Sequence, residues 1–189
     1  MAALRLNLAI VMLCFGLVSA ARVVRQASSD FVRDTCSSTT YPDVCYASLS
    51  PYAHEVQRDA KLLVETAIGV SLNSSKSALR MMKGMVNGKQ MTALGLQASK
   101  DCIEVLGDSI NNLEKSSSAL REEVHVLSHL TINDITTWVS AALTDDSTCS
   151  DGFEGIELNG NLKMFVEEKL VGITKLNSDV LGLIHNLLA

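Results

Sequence analysis

The residues best suited to chemistry are concentrated in one stretch, WVSAALTDDSTCSDGF, which runs from Trp138 to Phe153. It combines hydroxyl side chains, aspartates and a cysteine, the residue types from which nucleophilic sites are built. A nucleophilic serine or cysteine also needs a base within reach. No serine of this chain lies in a Gly-x-Ser-x-Gly turn, and the cysteines are expected to be paired. The stretch therefore does not predict an enzyme.

Metal and phosphate sites are not indicated either. His125 and His129 are spaced as metal ligands on a helix can be, but no glutamate follows His125. We interpret both histidines as solvated. No glycine precedes a Lys-Ser or Lys-Thr pair, so a phosphate-binding loop is not predicted. We expect no catalytic residue, no metal and no cofactor.

The amino-terminal residues have the pattern of a secretory signal peptide. Arg5 supplies a positive charge, residues 8–18 form an apolar run, and Val18-Ser19-Ala20 is a small-residue cleavage site. We predict a signal peptide over residues 1–20, a secreted product, and no membrane-spanning segment after it. The sequon Asn73-Ser74-Ser75 predicts that Asn73 faces solvent if it is glycosylated.

Cleavage of the signal peptide would leave four cysteines in an oxidising compartment, where two disulfides are expected. They are Cys36, Cys45, Cys102 and Cys149. Only eight residues lie between Cys36 and Cys45, which favours this local pair and leaves Cys102 with Cys149. A zinc site is the alternative, but the cysteines lack the paired spacing of zinc modules.

Composition and charge limit the classes of protein to which this chain can belong. Of its 189 residues, 47% are hydrophobic but only 4% are aromatic, and two are prolines, which favours a single helical domain with an aliphatic core. The net charge of −5 does not suit a nucleic-acid binder, which would present a basic face. An acidic protein favours cationic partners instead.

The hydrophobic pattern divides the chain into a leader, a hairpin and a bundle. Residues 21–29 lack periodicity and are predicted to be a flexible leader. Residues 30–53 predict a short helical hairpin, with Asp30 capping the first helix, Pro42 beginning the second, and the Cys36–Cys45 bridge closing it. Residues 54–188 predict an all-α, antiparallel, up-down four-helix bundle.

Apolar residues recur at helical spacing in four segments of that bundle. The segments are His54–Val86, Gln90–Arg121, one from Asn133 or Asp134 into the opening stretch, and Leu162–Leu188. The last has a four-and-three repeat that only Lys169 interrupts. The apolar stripes could line a ligand cavity, but core packing explains them more simply, and Trp138, Val139 and Ala142 are expected to face the core.

The second bundle helix also has a distinct polar face. At 100° per residue, Glu104, Asp108 and Asn111 fall on the side opposite Cys102. A disulfide holds two α-carbons within about 7 Å, so a bridge to Cys149 would bring the acidic Asp145-Asp146 pair, with Thr148 and Asp151, beside that face. An ordinary solvated surface is the alternative interpretation.

Several segments together resemble the plant invertase and pectin methylesterase inhibitor domain. They are Cys36-x8-Cys45 with Tyr41-Pro42 between the cysteines, Ala98–Glu104, the opening stretch, and Asn177–Ile184. The resemblance covers residues 30–188. It implies a four-helix bundle with a disulfide-closed hairpin, the same two bridges, and no catalysis. It also implies a protein partner, because family members bind over the substrate cleft of pectin methylesterase or into the active site of acid invertase.

The resemblance also suggests the inhibitor interface and its target. It carries polar contacts over to Glu104, Asp108, Asn111, Thr148 and Asp151, although Asn111 stands where some relatives have an acid. The segment Trp-Val-Ser-Ala-Ala-Leu-Thr is similar to the corresponding segment of the pectin methylesterase inhibitors. The mature chain also lacks the Pro-Lys-Phe segment associated with invertase inhibitors.

The resulting prediction is a monomeric inhibitor, secreted to the cell wall, that forms a 1:1 complex with pectin methylesterase. An inhibitor of acid invertase is the alternative within the family. A non-inhibitory secreted helical module and a chaperone-like pro-region are alternatives of other classes.

Overall fold

The computed structural model describes residues 24–88, 91–123, 127–158 and 160–188, and within these ranges it contains helices and no strand. The helices are α1 (24–36), α2 (Pro42–Leu49), α3 (Ala53–Val56), α4 (Ala60–Asn87), α5 (Ala93–Glu122), α6 (His129–Asp151), α7 (Gly160–Met164) and α8 (Val171–Leu187). A π-helical segment, Phe165–Leu170, joins α7 to α8. The predicted signal peptide and His125 lie outside the described residues.

The four long helices form the predicted bundle. Helix α4 contacts α5 and α8, and α6 contacts the same two helices, so each long helix has two long neighbours. Each of the four long helices contributes large aliphatic side chains to one core, among them Leu63, Leu113, Ile135 and Leu183. A second apolar cluster around Met82, Leu106, Phe165 and Ile173 fills the other part of the bundle. The all-α four-helix prediction is confirmed.

Side-chain caps set where the long helices α4, α5 and α6 begin, and two predicted starts are wrong for that reason. Gln57 has a positive φ of 54°, which ends α3, and the Asp59 carboxylate then accepts from the Leu62 amide at 2.9 Å to begin α4. Helix α6 begins at His129 because the Ser128 hydroxyl accepts from the Thr131 amide at 3.1 Å. The sequence offered two equally plausible caps, Asn133 and Asp134, which lie exposed inside that helix.

The amino-terminal hairpin differs from its prediction mainly at its start. Residues 24–29 are helical, where a flexible leader was predicted, so Asp30 lies inside α1 and accepts from the Gln26 side chain at 2.9 Å instead of capping the helix. Ser28 is only 2% exposed. The Cys36–Cys45 disulfide is present, with its α-carbons 5.5 Å apart, and it joins α1 to α2.

The π-helical segment explains the interruption that Lys169 makes in the apolar repeat. A π-helix bonds each residue to the fifth one along, so the buried stripe passes from Phe165 directly to Leu170. Val166, predicted for the core stripe, is half-buried, and so is Lys169. The π-helical turn thus places Lys169 at the edge of the core and not within it.

A polar layer crosses the middle of the bundle, and each long helix contributes one buried residue to it. The residues are Ser71, Ser109, Asp146 and Asn177, all 0% exposed. The Asn177 amide donates to Asp146 Oδ2 at 2.5 Å, and the Ser71 hydroxyl donates to Asn177 Oδ1. The sequence had placed Asp146 with Asp145 in an exposed acidic cluster; the structure corrects this, because Asp146 is on the inner side of α6.

Burial raises the pKa of Asp146 to about 7. The neighbouring Ser109 hydroxyl and the Asn177 amide lower it, and the charge of Asp145 adds to the rise. Because this value lies above the unfolded value near 3.8, the folded protein holds the proton more tightly. The stabilisation is complete below about pH 3.8 and is lost as the pH rises to about 7.

Replacement Asp146→Asn is therefore expected to flatten the pH dependence of stability. The wild-type free energy of unfolding should fall between pH 4 and 7 by up to about 1.4 kcal/mol per pH unit from this group alone. The variant should lose that slope and have a larger free energy of unfolding than the wild type above pH 7. Urea unfolding followed by circular dichroism measures both effects, with Asp134→Asn as the exposed control on the same helix. Parallel curves for wild type and Asp146→Asn would contradict the assignment.

Candidate functional site

The predicted interface lies on the outer surface of α5 and α6, which a disulfide fastens together. Cys102 and Cys149 are bonded with their α-carbons 4.4 Å apart, and their exposed fractions are 1% and 2%. At this point the two helix backbones are held at a distance that side-chain packing alone would not enforce. The prediction of this pairing agrees with the structure.

The five predicted interface residues are all exposed. On α5 they are Glu104, Asp108 and Asn111, and on α6 they are Thr148 and Asp151. Leu106, Ser109 and Leu113 are 0% exposed, so the separation of α5 into a polar outer face and a buried inner face is as predicted. We call these five residues together with Asp145 the α5–α6 surface. The binding role of its residues remains a prediction.

Asp145 links the two helices within that surface. The sequence placed it with Asp146 beside this face but did not predict it among the interface residues. The Asn112 amide on α5 donates to Asp145 Oδ2 on α6 at 3.2 Å. Burial raises the pKa of the half-buried Asp145 carboxyl; the Asn112 hydrogen bond lowers it, and the negative charge of Asp108 raises it further. Asp108 and Asp145 therefore act on each other as like charges within the α5–α6 surface.

Trp138 was expected in the core but is only half-buried, whereas Val139 and Ala142 are fully buried as predicted. It lies two helical turns before Asp145, on the same side of α6. The sequence could not make this distinction, because a tryptophan on the border of an apolar stripe satisfies the helical period as well as one inside it.

Neither a metal site nor a membrane span is found in the part of the chain that the structure describes. No group of three or more His, Cys, Asp and Glu side chains there could hold a metal ion. His129, the member of the predicted pair that the structure covers, is exposed. No helix in the same ranges is long and apolar enough to cross a bilayer.

Comparison of the sequence with known proteins shows to which family the chain belongs. Residues 30–189 match the family model described as plant invertase/pectin methylesterase inhibitor. The chain belongs to this family. Its members are inhibitors of enzymes, so the prediction that the protein is not itself an enzyme is confirmed.

Named relatives and a solved structure agree with this assignment. The inhibitor domain is 37% identical over 169 residues to the 21 kDa protein of Daucus carota, covering 86% of each chain. It is also 36% identical to pectinesterase inhibitor 10 of Arabidopsis thaliana. That match covers 85% of the present chain but only 52% of the longer relative. A crystal structure of a mutant pectin methylesterase inhibitor from Arabidopsis has the same fold, with a TM-score of 0.67 at 19% identity, covering 80% of this chain and 93% of that one.

The family segment Asn177–Ile184 has a structural role in this inhibitor domain. Asn177 belongs to the buried polar layer, and the Asp179 carboxylate accepts from the Tyr41 amide at 2.7 Å, which fastens the hairpin to α8. A Cβ added to Gly182 would lie 3.5 Å from the Thr39 side chain, in ordinary van der Waals contact, so the hairpin packs directly against α8 at this point. These residues position the fold and do not reach the α5–α6 surface.

Removing the bridge behind the α5–α6 surface should be costly. The Cys102→Ser, Cys149→Ser double variant loses a crosslink with a sequence separation of 47 residues, which the chain-entropy model values at roughly 4 kcal/mol. Cys36→Ser, Cys45→Ser opens a loop of only 9 residues and should lose less. Denaturant unfolding of both variants measures the difference. Equal losses, or a larger loss from the hairpin bridge, would show that loop entropy does not determine their contributions.

Proposed function

We propose that the protein is a secreted inhibitor of pectin methylesterase, and that it acts by covering the pectin-binding cleft with the α5–α6 surface. The observation that carries the proposal is an exposed acidic face on two helices that a buried disulfide holds together. Several relatives are named as pectinesterase inhibitors, at 29–36% identity. These names support pectin methylesterase as the target.

Inhibition of this kind is steric. A polymeric substrate cannot enter a cleft that a folded domain occupies, so the inhibitor needs no reactive group. A rigid surface favours tight binding because little conformational freedom is lost on association. The Cys102–Cys149 bridge and the Asn112–Asp145 hydrogen bond provide this rigidity within the interface itself.

The acidic side chains are proposed to pair with basic groups that flank the cleft. Charge complementarity contributes more to specificity and association rate than to affinity, because desolvation offsets much of the attraction between buried charges. Asp108 and Asp151 are exposed on adjacent helices, so they present two negative charges to one partner surface. We expect these two to discriminate most strongly between targets.

Secretion to the cell wall, a monomeric state and a 1:1 complex complete the proposal. Asn73 is exposed on α4, outside the α5–α6 surface, so a glycan at this position is compatible with binding. Acid invertase remains the alternative target, since the family includes inhibitors of both enzymes. Titration of the recombinant protein against each enzyme separately distinguishes the two, and inhibition of neither would support a non-inhibitory helical module.

Charge reversal tests the surface directly. The Asp108→Lys, Asp151→Lys double variant is expected to weaken inhibition of pectin methylesterase at least tenfold, because two attractive contacts become repulsive, while its melting temperature stays within a few degrees of the wild type. Asp34→Lys, Glu167→Lys makes the same change in net charge at exposed positions elsewhere and should inhibit like the wild type. Equal inhibition constants for the two double variants would mean that overall charge, not this surface, matters.

The pH dependence of binding should depend on Asp145. Its pKa is raised in the free protein, mainly by burial, and a cationic partner would favour its charged form. Association should therefore release the proton, so affinity should rise as the pH rises through that pKa and level off above it. Asp145→Asn should bind with a smaller pH slope. Calorimetry with the same enzyme between pH 4 and 7 makes the comparison, and identical slopes would exclude Asp145 from the interface.

A further inference from the structure

A cavity of about 840 Å³ opens at the end of the bundle opposite the hairpin. The last turns of α4, the approach to α5, helix α7 and the π-helical segment form its walls. Its volume lies in the range of small-molecule sites. It shares no residue with the α5–α6 surface, so its role is separate from the proposed inhibition.

Glycine keeps part of this cavity open. Gly84 lines it from α4, and a Cβ built there would meet no atom within 4 Å. Gly160, on the opposite wall, is equally open and has a positive φ of 51°. A side chain at position 84 would therefore enter free space in the cavity instead of displacing a neighbour.

Methionines form much of the apolar wall. Met81, Met85, Met91 and Met164 all line the cavity, and Met81 and Met164 are 48% and 56% exposed. Methionine has an unbranched and polarisable side chain, so it adapts to apolar ligands of different shapes. Such a wall suits a flexible alkyl chain better than a rigid planar molecule.

Lys169 places a positive charge at the same cavity. It interrupts the apolar repeat, and the π-helical segment leaves it half-buried at the cavity wall. No carboxylate of the described residues lies within 4 Å of its ammonium group, whereas the nearby Lys163 pairs with Glu167 at 3.8 Å. Glu168, which also lines the cavity, is exposed. A partly buried ammonium group is stabilised by a counter-charge, which a ligand can supply.

We propose that this cavity binds an amphipathic anion, with its alkyl chain against the methionines and its carboxylate or phosphate head group paired with Lys169. The apolar wall favours the alkyl chain of the ligand, and the positive charge of Lys169 favours an anionic head group. A carboxylate and a phosphate share this chemistry, so separate probes must distinguish them.

Calorimetric titration of the mature protein with three probes below their micelle concentrations tests the proposal. The probes are dodecanoate, monododecyl phosphate and dodecyltrimethylammonium. At least one anion should bind saturably at one site, at least tenfold more tightly than the cation, and the tighter of the two identifies the preferred head group. Absence of binding by both anions, or equal binding of the cation, would overturn the proposal.

Two variants locate the binding site without depending on loss of the fold. Gly84→Leu should weaken anion binding at least tenfold while the melting temperature stays unchanged or rises, because leucine favours a helix more than glycine does. Gly69→Leu is the matched control, since Gly69 is another α4 glycine with open space at its Cβ and does not line the cavity. Wild-type affinity in Gly84→Leu would show that the anion binds elsewhere and would overturn the proposal.

Lys169→Met tests the head-group contact. It should retain a folded bundle and lose the tenfold preference for the anions over the cation, whereas Lys163→Met should keep it. A Lys169→Met variant that still prefers the anions would refute the ion pair. Because neither lysine belongs to the α5–α6 surface, either result leaves the proposed inhibition untouched.

Discussion

The hydrogen-bonded layer formed by Ser71, Asn177 and Asp146 is the constraint on which the bundle depends. Aliphatic stripes attract one another without a preferred register, since one leucine replaces another at little cost. A buried polar atom that loses its partner costs about 1–3 kcal/mol. Sliding α4, α6 or α8 along its axis would break this chain of side chains. The layer therefore selects one alignment of the helices, and the apolar residues on either side stabilise that alignment.

That alignment determines what the surface can offer. Asp146 is inside because it belongs to the layer, and the residue before it, Asp145, is thereby placed at the border of α5 and α6, where Asn112 reaches it. The Cys102–Cys149 bridge lies one turn further along the same helix pair. Helix α6 thus carries the buried Asp146, the bridged Cys149 and the exposed Asp151 within about two turns. A surface built in this way is positioned by the core directly behind it.

Periodicity and cysteine spacing predict most of the architecture, because they record which residues must be buried and which must be joined. Helix ends are less predictable, since Ser128, Asn133 and Asp134 are all competent caps. The Glu123 carboxylate, which accepts from the Ser128 amide and the Thr131 hydroxyl, favours the start at Ser128. The helical period through Val139, Ala142 and Cys149 also runs through Asp146 and not Asp145. A fully buried aspartate is uncommon, however, so charge favoured an exposed pair. The five residues predicted for the interface are exposed as expected, because the side of a bundle helix opposite its buried cysteine faces solvent.

The two ends of the bundle differ in how closely their helices pack. Near the hairpin, Asp179 and Gly182 hold the appended helices tightly against α8. At the opposite end the π-helical turn shifts the buried stripe from Phe165 to Leu170, and glycines replace bulky side chains. Packing there is incomplete without affecting the polar layer, which lies further along the helices. The Cys102–Cys149 bridge behind the α5–α6 surface belongs to the same apolar cluster as Leu162 and Phe165 of the cavity wall, so the surface near the cavity is held by the covalent bond between α5 and α6 and not by close packing alone.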